Sequence, residues 1–151
     1  MKPWQSLIVF IVLVLAASLL GGLSVPDAWY AALDKPAFNP PGWVFGPAWA
    51  LLYALMAFAA WRVYRISGFD VAIALWLAQL LVNALWSPLF FAMHRIDLAL
   101  IDIVLLDLLV VATTVAFFRR DRIAGWLMTP YLAWIAFATA LNAAIWSLNQ
   151  G

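Results

Sequence analysis

The chain has no cysteine, a single histidine, and only eight basic and seven acidic side chains in 151 residues. Without cysteine, disulfides, thiolate metal sites and thiol nucleophiles are excluded, and the sequence carries no mark of its redox compartment. The one histidine, His94, stands beside Arg95 with no second imidazole and no carboxylate in ligand spacing. It reads as an interfacial residue, and no metal site is expected. A charged fraction of 10% is far below the roughly 25% of a soluble domain, so water is not the main solvent. The net charge of +1 leaves no basic stripe to neutralise phosphates, which excludes nucleic acid as a partner. Alternating segments of about ten residues, the mark of a membrane β-barrel, are also missing.

What remains is apolar: 68% of residues are hydrophobic and the mean hydropathy is +1.02. A chain dissolved in lipid must pair its backbone groups internally, and with a barrel excluded this means helices. Five stretches between ionisable residues reach the roughly 20 residues that a crossing needs. They predict helices at about 5–24, 43–65, 71–92, 97–118 and 123–148 in one domain over residues 1–151. The expected fold is an all-α integral membrane bundle of five transmembrane helices with a structured first loop at 25–42. For the first stretch a cleaved leader is the alternative, since Lys2 precedes an apolar run that ends at Gly22-Leu23-Ser24.

Five crossings put Lys2, Arg62, Arg65, Arg119, Arg120 and Arg122 on one side and Lys35 and Arg95 on the other. The positive-inside rule then sets the amino terminus in the cytoplasm of a bacterial cell and the carboxyl terminus outside. The cluster Arg119-Arg120-Asp121-Arg122 reads as a topology anchor.

Ten Trp, ten Phe and four Tyr exceed what interfacial belts require, although Trp4, Trp61 and Trp146 fit such belts. Residues four apart share a helix face. That spacing aligns Trp49 with Tyr53, Trp134 with Ala138 and Asn142, and Gln79 with Asn83 and, one turn on, Trp86. Ordinary packing explains any one of these faces. Together, flat rings and a few amides suit a cavity for a large, flat, mostly apolar molecule. Asp102 and Asp107 lie about 140° apart around their helix, so they form no carboxylate pair. Helix packing and a proton or ligand path both remain open for them.

The first loop holds Pro26, Pro36, Pro40 and Pro41 among the rings of Trp29, Tyr30 and Phe38. Pro26-Asp27 can open a short helix through Leu33, after which the prolines force extended backbone. Either a lid over the bundle mouth or a rigid connector fits this composition. In the third span Ala74 and Ala78 form a small-xxx-small pair that allows close approach of a second helix.

Read in order, Trp29-Tyr30, Leu33-x-Lys35-Pro36, Asn39-Pro40-Pro41-x-Trp43-Val44, Gly46-Pro47-x-Trp49, Leu52-Tyr53, Asn83-x-x-Trp86-x-Pro88-x-Phe90-Phe91 and Pro130-Tyr131-Leu132-x-Trp134-x-x-Phe137-Ala138-Thr139 carry a family resemblance over nearly the whole chain. The sequence is similar to the TspO/MBR family: tryptophan-rich sensory proteins, the bacterial relatives of the mitochondrial translocator protein or peripheral benzodiazepine receptor. The resemblance implies a five-helix fold, usually a homodimer, which would use Ala74 and Ala78. It also implies a cavity lined by Tyr30, Pro41, Trp49, Tyr53, Asn83, Trp86, Trp134 and Ala138. Porphyrins such as protoporphyrin IX would bind there as ligand or substrate, with no resident cofactor, and so would isoquinoline-carboxamide and benzodiazepine compounds. Trp49 and Trp134 match a catalytic pair implicated in light- and oxygen-dependent breakdown of protoporphyrin. Transport of tetrapyrroles or other amphiphiles is the alternative function. Sterol binding gets little support, because Leu141 to Ser147 lacks the tyrosine and basic residue of the animal pattern.

Overall fold

The computed structural model describes residues 1–150. Five long helices, α1 (Pro3–Gly22), α3 (Phe45–Ser67), α4 (Val71–Ser87), α5 (Ile96–Arg120) and α6 (Arg122–Leu148), are joined by short turns, except where the short helix α2 (Ala28–Ala32) lies in the first loop. With a 3₁₀ turn leading into α3 and a π turn extending α4, all five spans are long and apolar enough to cross a membrane. Acidic side chains start three of the helices. Asp70 accepts from the Ala72 and Ile73 amides, Asp121 from Ala124, and Asp27 from Tyr30, which satisfies amides that have no partner within the helix. α3 stops at Gly68, whose φ of 65° is the left-handed turn that glycine adopts at little cost.

Some boundaries differ from the sequence expectation. α1 lies two residues earlier, Pro3–Gly22 instead of 5–24, because proline is pre-set for the first helical turn and has no amide to leave unpaired. α3 and α5 run on to Ser67 and Arg120, since their arginines can extend into the interface while the helix continues.

Each long helix packs on two neighbours, and the five close into a ring in the order α1, α3, α6, α5, α4. α1 buries Phe10, Val14 and Ala17 in this ring, so the stretch that also resembled a leader is a structural member of the bundle. At the end holding the α3–α4 and α5–α6 turns the interior is solid. Phe10 meets the Trp76 ring edge-on at 5.4 Å, and Val63, Phe117 and Met128 are fully buried. Gly125 lets α6 sit directly on the Phe118 ring, where any Cβ would overlap it. Two ion pairs tie this end together, Arg62–Asp121 at 2.6 Å and Arg120–Asp70 at 2.7 Å. The basic cluster expected as a topology anchor therefore also fastens helices to one another.

Candidate functional site

At the opposite end the ring is hollow. A cavity of about 610 Å³, within the range of small-molecule sites, takes lining residues from all five long helices and from the first loop. Tyr30, Trp49, Tyr53, Asn83, Trp86, Trp134 and Ala138 all line it. Pro41 does not: it is exposed and caps the 3₁₀ turn Gly42–Val44, while Pro40 takes the place on the wall. Successive residues of extended polyproline backbone point about 120° apart, so only one ring of such a pair can face inward.

The aromatic wall combines tilted and edge-to-face contacts. Trp49 lies 5.4 Å from Tyr53, and meets Trp134 at 6.3 Å with the planes 84° apart. Phe45 braces Trp134 from the side at 5.9 Å. A relay of hydrogen bonds across three helices starts at the wall with Tyr53 and Asn83 and runs into the packed interior. The Tyr53 hydroxyl donates to Asn83 Oδ1 at 2.7 Å, Asn83 Nδ2 donates to the Tyr131 oxygen at 2.8 Å, and the Tyr131 hydroxyl donates to Gln79 Oε1 at 2.8 Å. Trp86 Nε1 donates to Asn142 Oδ1 at 2.9 Å, and Asn142 Nδ2 to the Ile96 carbonyl at 3.2 Å. The amides thus hold helices together, and Asn83 and Asn142 also line the cavity. Two polar atoms of the lining, Asn39 Oδ1 and Trp134 Nε1, are buried without a hydrogen-bond partner.

The first loop covers this end. Pro88 has no amide to donate, and the chain after it widens into a π turn, Pro88–Ala92, which presents Phe90 and Phe91 to the loop. Tyr30 packs edge-on against both, at 6.0 and 5.3 Å. Burial among these rings raises the Tyr30 hydroxyl above the usual phenol range, so it stays neutral. Trp29 stacks on His94 at 4.1 Å with the rings 13° apart, and His94 Nε2 lies 3.1 Å from Asp27 Oδ2. The Tyr30 amide, and then His94, hold the Asp27 carboxyl below its usual value. His94 takes a φ of 54°, uncommon for a residue with a side chain, to make this contact. Beyond α2, the Asp34 amide donates to Asn149 Oδ1 at 3.0 Å and Asn149 Nδ2 returns a bond to the Asp34 carbonyl at 2.9 Å. The loop is therefore fastened at both ends of α2.

A carboxylate does stand beside His94, as one latch of the loop and not as part of a metal set. Among the described residues no cluster of three metal-ligating side chains occurs. Asp102 is buried with Oδ2 unpartnered, and Asp107 Oδ2 accepts from Thr139 Oγ1 at 2.7 Å. Ala74 is exposed and Ala78 half-buried on the outer face of α4, away from the cavity. Tyr131, Phe90 and Asn149 were not among the expected site residues, although Phe90 and Tyr131 stand in the motifs quoted above. A second, open groove of about 560 Å³ lies outside, between α3 and α6. It shares Pro40 and Trp134 with the cavity but offers almost no polar group to orient a guest.

The profile of the TspO/MBR family matches residues 9–147. The chain belongs to the TspO/MBR family. Three relatives show how closely TspO/MBR proteins of different sources match it. A tryptophan-rich sensory protein of Cereibacter sphaeroides is 44% identical over 97% of this chain and 92% of its own length. Protein CrtK of Rhodobacter capsulatus is 40% identical over 95% and 92%. The human translocator protein is 41% identical over 82% of this chain and 76% of its own. This TspO/MBR chain is a multi-pass integral membrane protein of the sensory and translocator type.

Proposed function

We propose that the protein is a membrane receptor and sensor that takes porphyrins such as protoporphyrin IX, and related flat hydrophobic molecules, into the cavity beneath the first loop. The observation that carries this reading is the convergence of Trp49, Tyr53, Trp86 and Trp134 with the Asn83 and Asn142 amides on one hollow of about 610 Å³. A flat guest gains from edge and face contacts with such rings and needs few polar partners. Pinning the loop at Asp27–His94 and at Asp34–Asn149 supports its role as a lid rather than a connector.

Light-dependent breakdown of the guest belongs to the same reading. The indoles of Trp49 and Trp134 stand where they would touch the ring of a bound porphyrin. An excited porphyrin can accept an electron from an indole in contact with it, with dioxygen as the co-reactant. Transport is favoured less, because the cavity ends at the Tyr53–Asn83–Tyr131–Gln79 relay, and the solid layer around Phe10 and Trp76 lies beyond it. We place the protein in a bacterial cell membrane with the amino terminus cytoplasmic, on the charge bias, and as a homodimer through Ala74 and Ala78 on the outer face of α4.

Titrating the purified protein with protoporphyrin IX in the dark should quench tryptophan fluorescence saturably. Illumination in air should then bleach the bound porphyrin, and Trp49→Phe or Trp134→Phe should protect it. Non-saturable quenching would rule out the site. Equal bleaching in parent and both variants would rule out the photochemical role of the two indoles.

A further inference from the structure

Among the described residues no charged side chain lines the cavity; its polar groups are hydroxyls, indoles and amides. A carboxylate drawn into such a space without a countercharge is strongly disfavoured. Protoporphyrin carries two propionates on one edge of an otherwise apolar ring, so that edge has to stay at the lid. The basic side chains there are mostly engaged. Arg95 Nη2 lies 2.8 Å from Asp97 Oδ2, and His94 is held by Asp27. Lys35 is different. Among the described residues its Nζ meets only the carbonyls of Leu33 at 3.2 Å and Ala31 at 3.5 Å, and it stands 4.5 Å from the centre of the Tyr30 ring, whose side chain is part of the cavity wall.

We propose that Lys35 is the anion anchor of this site, its ammonium receiving a carboxylate of a flat apolar guest whose ring lies under the lid. Lys35 is half-buried behind Tyr30 and not in the wall itself, and its flexible four-carbon stem can carry the ammonium past the edge of the ring. Neutral Tyr30 then separates the apolar compartment from the charged one. The anchor rests on the porphyrin-type reading above, and it fixes which end of the guest enters first.

The test compares dark titrations of the full chain in non-ionic detergent with two guests, protoporphyrin IX and its uncharged dimethyl ester. Lys35→Gln should weaken the diacid about tenfold at low salt, the scale of a hydrogen bond to a charged group, and leave the ester within about twofold. The effect should shrink as salt screens the pair, and Lys35→Arg should keep most of the affinity. Equal losses for both guests would mean that Lys35 only props Tyr30 and the lid, which overturns the anchor. Unchanged binding of both would overturn it too. Failure of the parent to bind either guest would instead contradict the porphyrin-type function, and the anchor with it.

Discussion

Asn83 receives the Tyr53 hydroxyl at 2.7 Å and passes its own amide hydrogen to Tyr131, joining α3, α4 and α6 through a single side chain. Amides placed in this way inside a membrane bundle act as interhelical links, and here Asn83 also lines the cavity. Because Asn83 and Tyr131 each have relay partners on both sides, loss of either leaves two other groups unpaired.

Asn83→Leu should therefore cost about 1 kcal/mol of stability in detergent, and lower the unfolding midpoint by about 2–4 °C. Tyr131→Phe should cost at least as much, since the Asn83 amide and Gln79 Oε1 both lose their partner. Thermal unfolding followed by circular dichroism checks this. Midpoints unchanged in both variants would mean that the relay contributes nothing.

The lid gives a kinetic prediction. Asp27–His94 and Asp34–Asn149 join the loop to different parts of the bundle, so removing either should loosen one end only. His94→Ala and Asn149→Ala should each speed release of a bound guest several-fold, and the double variant more, with the bundle's unfolding midpoint hardly moved. Stopped-flow displacement of protoporphyrin measures the rate. Identical rates in all three variants would return the loop to the status of a connector.

Much of this was legible in the sequence, and the part that was not has a common cause. The spans stood out because lipid excludes charge, which makes the gaps between ionisable residues a direct ruler. The shared faces of Trp49 with Tyr53, and of Trp134 with Ala138, follow from helical periodicity alone. The Asp27–His94 and Asp34–Asn149 contacts join residues 67 and 115 apart, and no local pattern marks such pairs. Tyr131 was hidden for a similar reason, since its hydroxyl acquires a role only where α4 brings Asn83 and Gln79 to it. The choice of Pro40 over Pro41 depends on one backbone rotation in the loop, which composition does not fix.

The solid end of the bundle gives a pH prediction. The Arg62 guanidinium is the main cause holding the Asp121 carboxyl below its ordinary value. A carboxylate whose pKa is lowered in the folded state contributes its stability in full above the unfolded value of about 3.9. That contribution is lost as pH falls through the lowered folded value. Unfolding midpoints should thus be level above about pH 5 and fall below about pH 4, with a shallower fall in Asp121→Asn. A variant that kept the parent's full acid slope would show that the pair is not responsible.

The proposed homodimer through the outer face of α4 has its own test. Ala78→Leu adds bulk where a second α4 would pack, and should shift the detergent-solubilised protein from dimer to monomer on cross-linking. Dimer yield equal to the parent's would move the interface elsewhere.

The most direct test of the central claim is to fill the cavity from within. Ala138 lines it, half-buried, between Trp134 and Asn142 on α6, and Ala138→Phe places a ring where the guest would lie. In a dark titration monitored by tryptophan fluorescence, the account predicts that saturable protoporphyrin quenching disappears in this variant while its helical content and unfolding midpoint stay close to the parent's. Parent-like affinity in a folded Ala138→Phe protein would contradict it, because the guest would then bind elsewhere.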